Sequence, residues 1–129
     1  MKIKNSQVVA FLNGIAEIQN KKLPIKVCYA ITRNINLMES VAKAYEEERM
    51  KVLDKYVQKE GNGEYIVKDG AYKIEDVSSY ESEMEELLEI ENELAVHTVR
   101  FEELEKCDTE QFEALSVRDI NLLTFMTAE

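Results

Sequence analysis

A chain of 129 residues with 45% apolar side chains can bury one modest core, and nothing in it is long and apolar enough to span a bilayer. One histidine and two distant cysteines, Cys28 and Cys107, exclude a two-histidine metal site and a Cys-x-x-Cys redox pair. Net charge is −10, unevenly spread: residues 1–63 hold 11 Lys/Arg against 7 Asp/Glu (+4), residues 64–129 hold 5 against 19 (−14).

An acidic surface repels nucleic acid and acidic membranes, so neither is an expected partner. The basic half is free to pair with the acidic half, within one chain or between two. Met1–Lys4 alternates apolar and basic residues and reads as a short edge strand, leading into polar Asn5-Ser6-Gln7 rather than the apolar centre of a leader peptide. Asn5 or Ser6 is then placed to cap a helix that carries Val8, Phe11, Leu12, Ile15 and Ile18 on one face. Asn13-Gly14 is also a hairpin signal, but its flanks follow helical spacing better than alternation. Gly14 weakens that helix by up to about 1 kcal/mol relative to alanine.

After Asn20-Lys21-Lys22-Leu23, Pro24 suits the first turn of a second helix. From Ile25 the chain runs without glycine or proline to Gly61-Asn62-Gly63, where the helix is expected to stop. Cys28, Ile31, Ile35, Met38, Ala42, Tyr45, Arg49, Val52 and Tyr56 recur at alternating steps of three and four, one seam of a helix. Val27, Ala30, Leu37, Val41 and Ala44 widen the seam over the first half; the second half is a narrow line between charged flanks. Some 35 helical residues span roughly 50 Å, whereas a compact chain of this size is about 35 Å across. The helix must therefore break, at Arg33-Asn34 or Ser40, or rest its far half on a second copy. The coiled-coil spacing favours the second copy, a homo-oligomer (a dimer) with Met38, Tyr45, Val52 and Tyr56 as the shared seam.

Tyr65-Ile66-Val67 and Tyr72-Lys73-Ile74 flank Asp69-Gly70 and predict a hairpin. Ser78-Ser79-Tyr80-Glu81 reads as a capping box for a third helix, with Tyr80, Met84, Leu87, Leu88 and Leu94 inward and Glu81, Glu83, Glu85, Glu86, Glu89, Glu91 and Glu93 outward. Val96–Phe101 alternates like a strand, with His97, Val99 and Phe101 on one face. Asp108-Thr109-Glu110-Gln111 is placed to cap a helical turn, with Cys107 and Phe112 as its hydrophobic staple. Ser116-Val117-Arg118-Asp119 opens a last helix with Ile120, Leu123 and Met126 apolar. The expected fold is α+β and mainly helical. It is a single domain over residues 1–129, with an N-terminal helical hairpin containing one long helix, a small antiparallel sheet from residues 1–5, 65–67, 72–74 and 96–101, an acidic helix and short C-terminal helices.

The lysine-alternating start into Asn5-Ser6-Gln7, the helix ending in Lys55-Tyr56, Gly61-Asn62-Gly63-Glu64-Tyr65, Asp69-Gly70-Ala71-Tyr72-Lys73-Ile74 and the Glu/Leu-rich helix after it make a pattern. It resembles small uncharacterised proteins of bacteriophages and prophages of Gram-positive bacteria. The resemblance implies a viral setting in the cytoplasm of a bacterial host. It implies no reaction and brings no functional residues.

No phosphate-cradling glycine loop, Gly-x-Ser-x-Gly or nucleophile–base pair is present, so no catalytic residue, metal or cofactor is expected. His97 and Cys28 read as side chains of the core or its margin. Two features remain. Glu83, Glu86 and Glu89 on the acidic helix suit docking to a basic surface of a host protein, in the manner of a phosphate track. Lys21, Lys22 and Lys26 around the start of the long helix, with Arg33 further on, suit an anion or phosphorylated small ligand. The leading expectation is a non-enzymatic inhibitor or sequestering protein of phage type. The alternative is an assembly protein of the phage particle that oligomerises through the long helix.

Overall fold

The structure, a computed structural model, describes residues 1–128. In chain order it has β1 (Lys2–Lys4), α1 (Asn5–Gln19), α2 (Ile25–Tyr56), β2 (Val67–Lys68), β3 (Ala71–Tyr72), α3 (Val77–Glu89), β4 (Glu91–Glu93), β5 (Val99–Arg100), α4 (Phe101–Glu105), α5 (Val117–Leu123) and β6 (Thr127–Ala128). The class is α+β, mainly helical, as expected. Among the described residues no helix is long and apolar enough to cross a membrane.

The organising element is α2, 32 residues without a break at Arg33-Asn34 or Ser40. Its first half lies in the main core. Val27, Ala30, Ile31 and Met38 pack with Val8, Phe11, Ile15 and Ile18 of α1, and with Val99, Leu104, Cys107, Leu123 and Met126 from the C-terminal third. Gly14 acquires a reason here: a β-carbon at that position would stand 2.9 Å from Leu122 Cδ2, so its absence lets α5 approach α1.

The far half of α2 has its own cover. Leu53, Val57 and Leu87 are buried there, and α3 runs against α2. Tyr56 meets Tyr80 edge to face at 6.2 Å, and Lys55 Nζ reaches Glu83 at 2.9 Å. The helix stops at Tyr56, short of the expected Gly61-Asn62-Gly63, because Val57 turns extended, buries its side chain and pairs with Ile74. Residues 57–60, 64–67 and 71–74 form a small meander. Gln58 N–H donates to the Lys73 carbonyl (2.8 Å), Ile66 N–H to the Gln58 carbonyl (2.9 Å) and Lys73 N–H to the Ile66 carbonyl (2.9 Å). The Asp69-Gly70 turn is as predicted, both residues taking positive φ (54° and 80°), which a two-residue hairpin loop of this twist requires.

Several local expectations are corrected. The small sheet is not one sheet: β1 pairs with β4, β2 with β3, and β5 with β6, the last pair parallel. Residues 91–93 are strand rather than the end of the acidic helix. Their register sets Lys2 opposite Glu93 and Lys4 opposite Glu91, cross-strand pairs of opposite charge. Leu94 is therefore off the helix, though it still packs on the core. The cap of α3 is Asp76, whose carboxylate accepts from Ser79 N–H (3.1 Å), and not the expected Ser78 box. Asn5 does not cap α1. It is buried, its Nδ2 donates to the Leu87 carbonyl (2.8 Å) and its Oδ1 accepts from Asn92 Nδ2 (2.9 Å), which satisfies one of the free carbonyls at the end of α3.

The strand expected over 96–101 shrinks to β5, because Phe101 already begins α4 and its side chain is exposed. Asp108-Thr109-Glu110-Gln111 starts no helix; residues 106–108 make a single 3₁₀ turn and Cys107 is buried beneath it. The Ser116 box is present as read. Ser116 Oγ accepts from Asp119 N–H and an Asp119 carboxylate oxygen accepts from Ser116 N–H, both at 3.1 Å.

Candidate functional site

Three sets of residues were expected to carry function, and the fold treats them differently. The expected oligomer seam is used inside the chain in part. Met38 is 1% exposed in the core, and Tyr45, Val52 and Tyr56 are half-buried, with Tyr56 against Tyr80 of α3. Of the segments that follow, α3 runs against α2, while residues 64–74 pair with residues 57–60 past the helix end. Met38 is thus closed to a second copy, while Tyr45 and Val52 keep part of their surface exposed.

The anion cluster is not assembled. Lys21 turns to α5: its ammonium lies 3.2 Å from Asp119 and donates to the Ala114 carbonyl at 3.0 Å. Burial pushes the Asp119 carboxyl up, but the Ser116 groups and Lys21 outweigh it and hold it below the ordinary value of 3.8. Lys22 is tied by its backbone to Glu113, and its side chain is exposed. Lys26 faces the other way, 3.7 Å from Glu103, and Arg33 is exposed about two turns further along α2. Lys21 and Lys26 thus serve different acidic partners, on α5 and α4.

The acidic helix is an exposed arc with two of its expected residues already engaged. At 100° per residue, Glu81, Glu85, Glu89 and Glu86 cover an arc of about 140°, opposite the Tyr80–Met84–Leu87 stripe that packs inward. Glu83 lies at the margin, where Lys55 and then the Tyr56 hydroxyl hold its carboxyl below the usual range. Glu89 pairs with Lys4 at 2.7 Å, which raises the Lys4 ammonium. Of the three residues singled out, only Glu86 has no ionic partner among the described residues; Glu81 and Glu85 share that state and are exposed beside it.

Four side-chain ion pairs join the basic first half to the acidic second half: Lys4–Glu89, Lys21–Asp119, Lys26–Glu103 and Lys55–Glu83. The charge asymmetry is therefore used in part to hold the fold; part of the surplus stands on α3, and exposed residues such as Glu102, Glu105 and Glu110 carry more of it. Among the described residues, no three or more His, Cys, Asp or Glu come together in a way that could hold a metal ion.

Sequence reasoning missed Asn34. Its side chain is fully buried and holds both backbone groups of His97: Oδ1 accepts from His97 N–H (2.8 Å) and Nδ2 donates to the His97 carbonyl (2.9 Å). A signal was available, since Asn34 interrupts the apolar series Val27, Ala30, Ile31, Met38 at helical spacing. Comparison with protein-family models, with curated proteins and with solved structures finds no match for this chain.

Proposed function

We propose that the chain is a non-enzymatic binding protein that docks a basic surface of another protein through the outer arc of α3. The observation that carries this reading is the placement of the unneutralised carboxylates. Once four lysines of the first half have taken acidic partners, Glu81, Glu85 and Glu86 remain together, exposed and unpaired among the described residues. A rigid helix, capped by Asp76 and anchored by Tyr80 and Leu87, presents them at fixed spacing. Such a track raises association rates and selects against acidic partners, and its effect is screened by salt.

The resemblance to phage and prophage proteins supplies the setting: the partner is a host factor, and occupation of its basic groove inhibits or sequesters it. The assembly reading relies on the α2 seam, of which Met38 is buried in the core and Tyr56 packs on Tyr80, leaving the half-buried Tyr45 and Val52 to meet a second copy.

The test is affinity capture from a bacterial lysate at low and at high salt, with Glu81→Gln, Glu85→Gln and Glu86→Gln combined in one variant. A Glu64→Gln, Glu110→Gln double variant, also exposed but outside the arc, serves as control. The expected result is a basic protein retained by the wild type and the control. It should be released by salt and reduced at least about tenfold by the triple variant, a coupling ordinary for close charge pairs at interfaces. Capture undiminished by the triple variant would overturn the reading.

A further inference from the structure

A groove lies between the first turns of α2 and the segment that runs through β5 into α4, well apart in kind from the acidic arc. Its volume is about 510 Å³, and Lys26, Tyr29, His97, Val99, Arg100 and Glu103 line it. That is the size of a small-molecule site, with an apolar floor and a few converging polar groups. The floor is built rather than incidental. Tyr29 and His97 meet edge to face, with centroids 5.2 Å apart and planes at 81°, an arrangement that leaves a ring face open to stacking. Tyr29 is 53% exposed, so this face is accessible, and Ile25 at its edge is more exposed still. Behind them, the two Asn34 hydrogen bonds pin the His97 backbone to α2, so the floor is positioned before any ligand arrives.

The charged groups of the groove divide unequally. Glu103 directs both carboxylate oxygens to Lys106, each at 3.1 Å, and its link to Lys26 is the longer one at 3.7 Å. The carboxylate is thus satisfied from outside the groove. The Lys26 ammonium keeps donors to spare at 73% exposure. Arg100 makes no ion pair among the described residues, and its fork suits a carboxylate or phosphate. On a chain of net charge −10 an extended polyanion such as nucleic acid is repelled along most of its length. A small anion feels chiefly the charges within a Debye length of about 8–10 Å, and here those include Lys26 and Arg100.

We propose that this groove binds a small ligand with a planar ring and one anionic group, the ring stacking on Tyr29 and the anion held between Lys26 and Arg100. The shared chemistry covers an aromatic phosphate, such as a nucleoside monophosphate, and an aromatic carboxylate.

The chain has one histidine, so the His97 ring protons report on the groove in a proton NMR spectrum without ambiguity. The full chain is titrated with AMP, indole-3-acetate, adenosine and inorganic phosphate. Saturable shifts of the His97 and Tyr29 ring signals are expected with AMP or indole-3-acetate, and whichever binds tighter names the anion. Adenosine and inorganic phosphate, each lacking one recognition element, should bind about tenfold more weakly or less. Lys26→Gln and Arg100→Gln, both at exposed positions, should each weaken the tighter probe at least about fivefold, with the thermal midpoint unchanged for Arg100→Gln and lowered only slightly for Lys26→Gln, whose pair with Glu103 is exposed and long. Absence of a saturable shift with either charged aromatic probe at millimolar concentration would overturn the proposal. So would a shift that survives the combined Lys26→Gln, Arg100→Gln variant unchanged.

Discussion

The two halves of α2 are one helix held by two kinds of physics. The near half is wide and dry: Val27, Ala30, Ile31, Asn34 and Met38 are all buried, and helices from both ends of the sequence close over them. The far half buries only Leu53, and its remaining contacts are half-exposed tyrosines, a backbone meander and surface ion pairs. Apolar burial is non-directional and insensitive to salt, whereas exposed ion pairs contribute little and are screened. The near half should therefore set global stability, and the far half should open first. Amide exchange should show this directly, with residues 27–38 protected to the global limit and residues 45–56 exchanging through a smaller opening. Equal protection along α2 would erase the contrast.

The largest mutational effect is expected at Asn34. Asn34→Ala removes a donor and an acceptor in the core and orphans the N–H and carbonyl of His97. At 1–3 kcal/mol for each unsatisfied group the loss should be about 4 kcal/mol, read from denaturant midpoints. A loss below about 1 kcal/mol would show that water replaces the amide. Leu53→Ala comes next, at about 3 kcal/mol for a buried leucine. Its signature should be local, with exchange accelerated from residue 45 through the meander and left unchanged in α1. If α1 loosened equally, the two halves would be one cooperative unit. Because Leu53 is buried within its own chain, Leu53→Ala should also leave the sedimentation coefficient unchanged.

Asp119→Asn should cost about 2 kcal/mol at neutral pH, the scale of a buried hydrogen bond to a charged group. The sign of its pH dependence follows from the lowered carboxyl. The contribution is complete above the unfolded value of 3.8 and lost as pH falls through the lower folded one, so wild type and variant should converge below 3.8. A constant gap across that range would deny the ionic part of the role. Smallest is Glu83→Gln, expected to lower the thermal midpoint slightly at low salt and not at all in molar salt.

What could be read from the sequence was local. The helical spacing of α1 and α2, the Asp69-Gly70 turn, the inward stripe Tyr80–Met84–Leu87 and the Ser116 box each depend on residues within a few positions of one another. Long-range pairing was not legible. Strands of two or three residues such as β1 and β5 carry too little pattern to name partners some 90 and 28 positions away. The buried asparagines were misread for the same reason: Asn5 and Asn34 look like cap and break until the carbonyls they serve are in place. A rod-against-sphere comparison could not foresee that α3 would run beside the unbroken α2 and cover part of its far half. For the candidate sites, charge identified the acidic arc, while the groove is built from Lys26, Tyr29, His97 and Arg100, which no spacing rule connects.

The near half of α2 waits for residues 123–126 to be made. Phe125 sits on Phe11 at 5.1 Å, and Met126 is fully enclosed beside Asn34. At 5–20 residues per second, a ribosome would hold α1 and α2 without their lid for several seconds. During that interval the apolar face of α1 is an invitation to chaperones, and a chain that stopped before α5 would leave that face sticky rather than make a smaller protein.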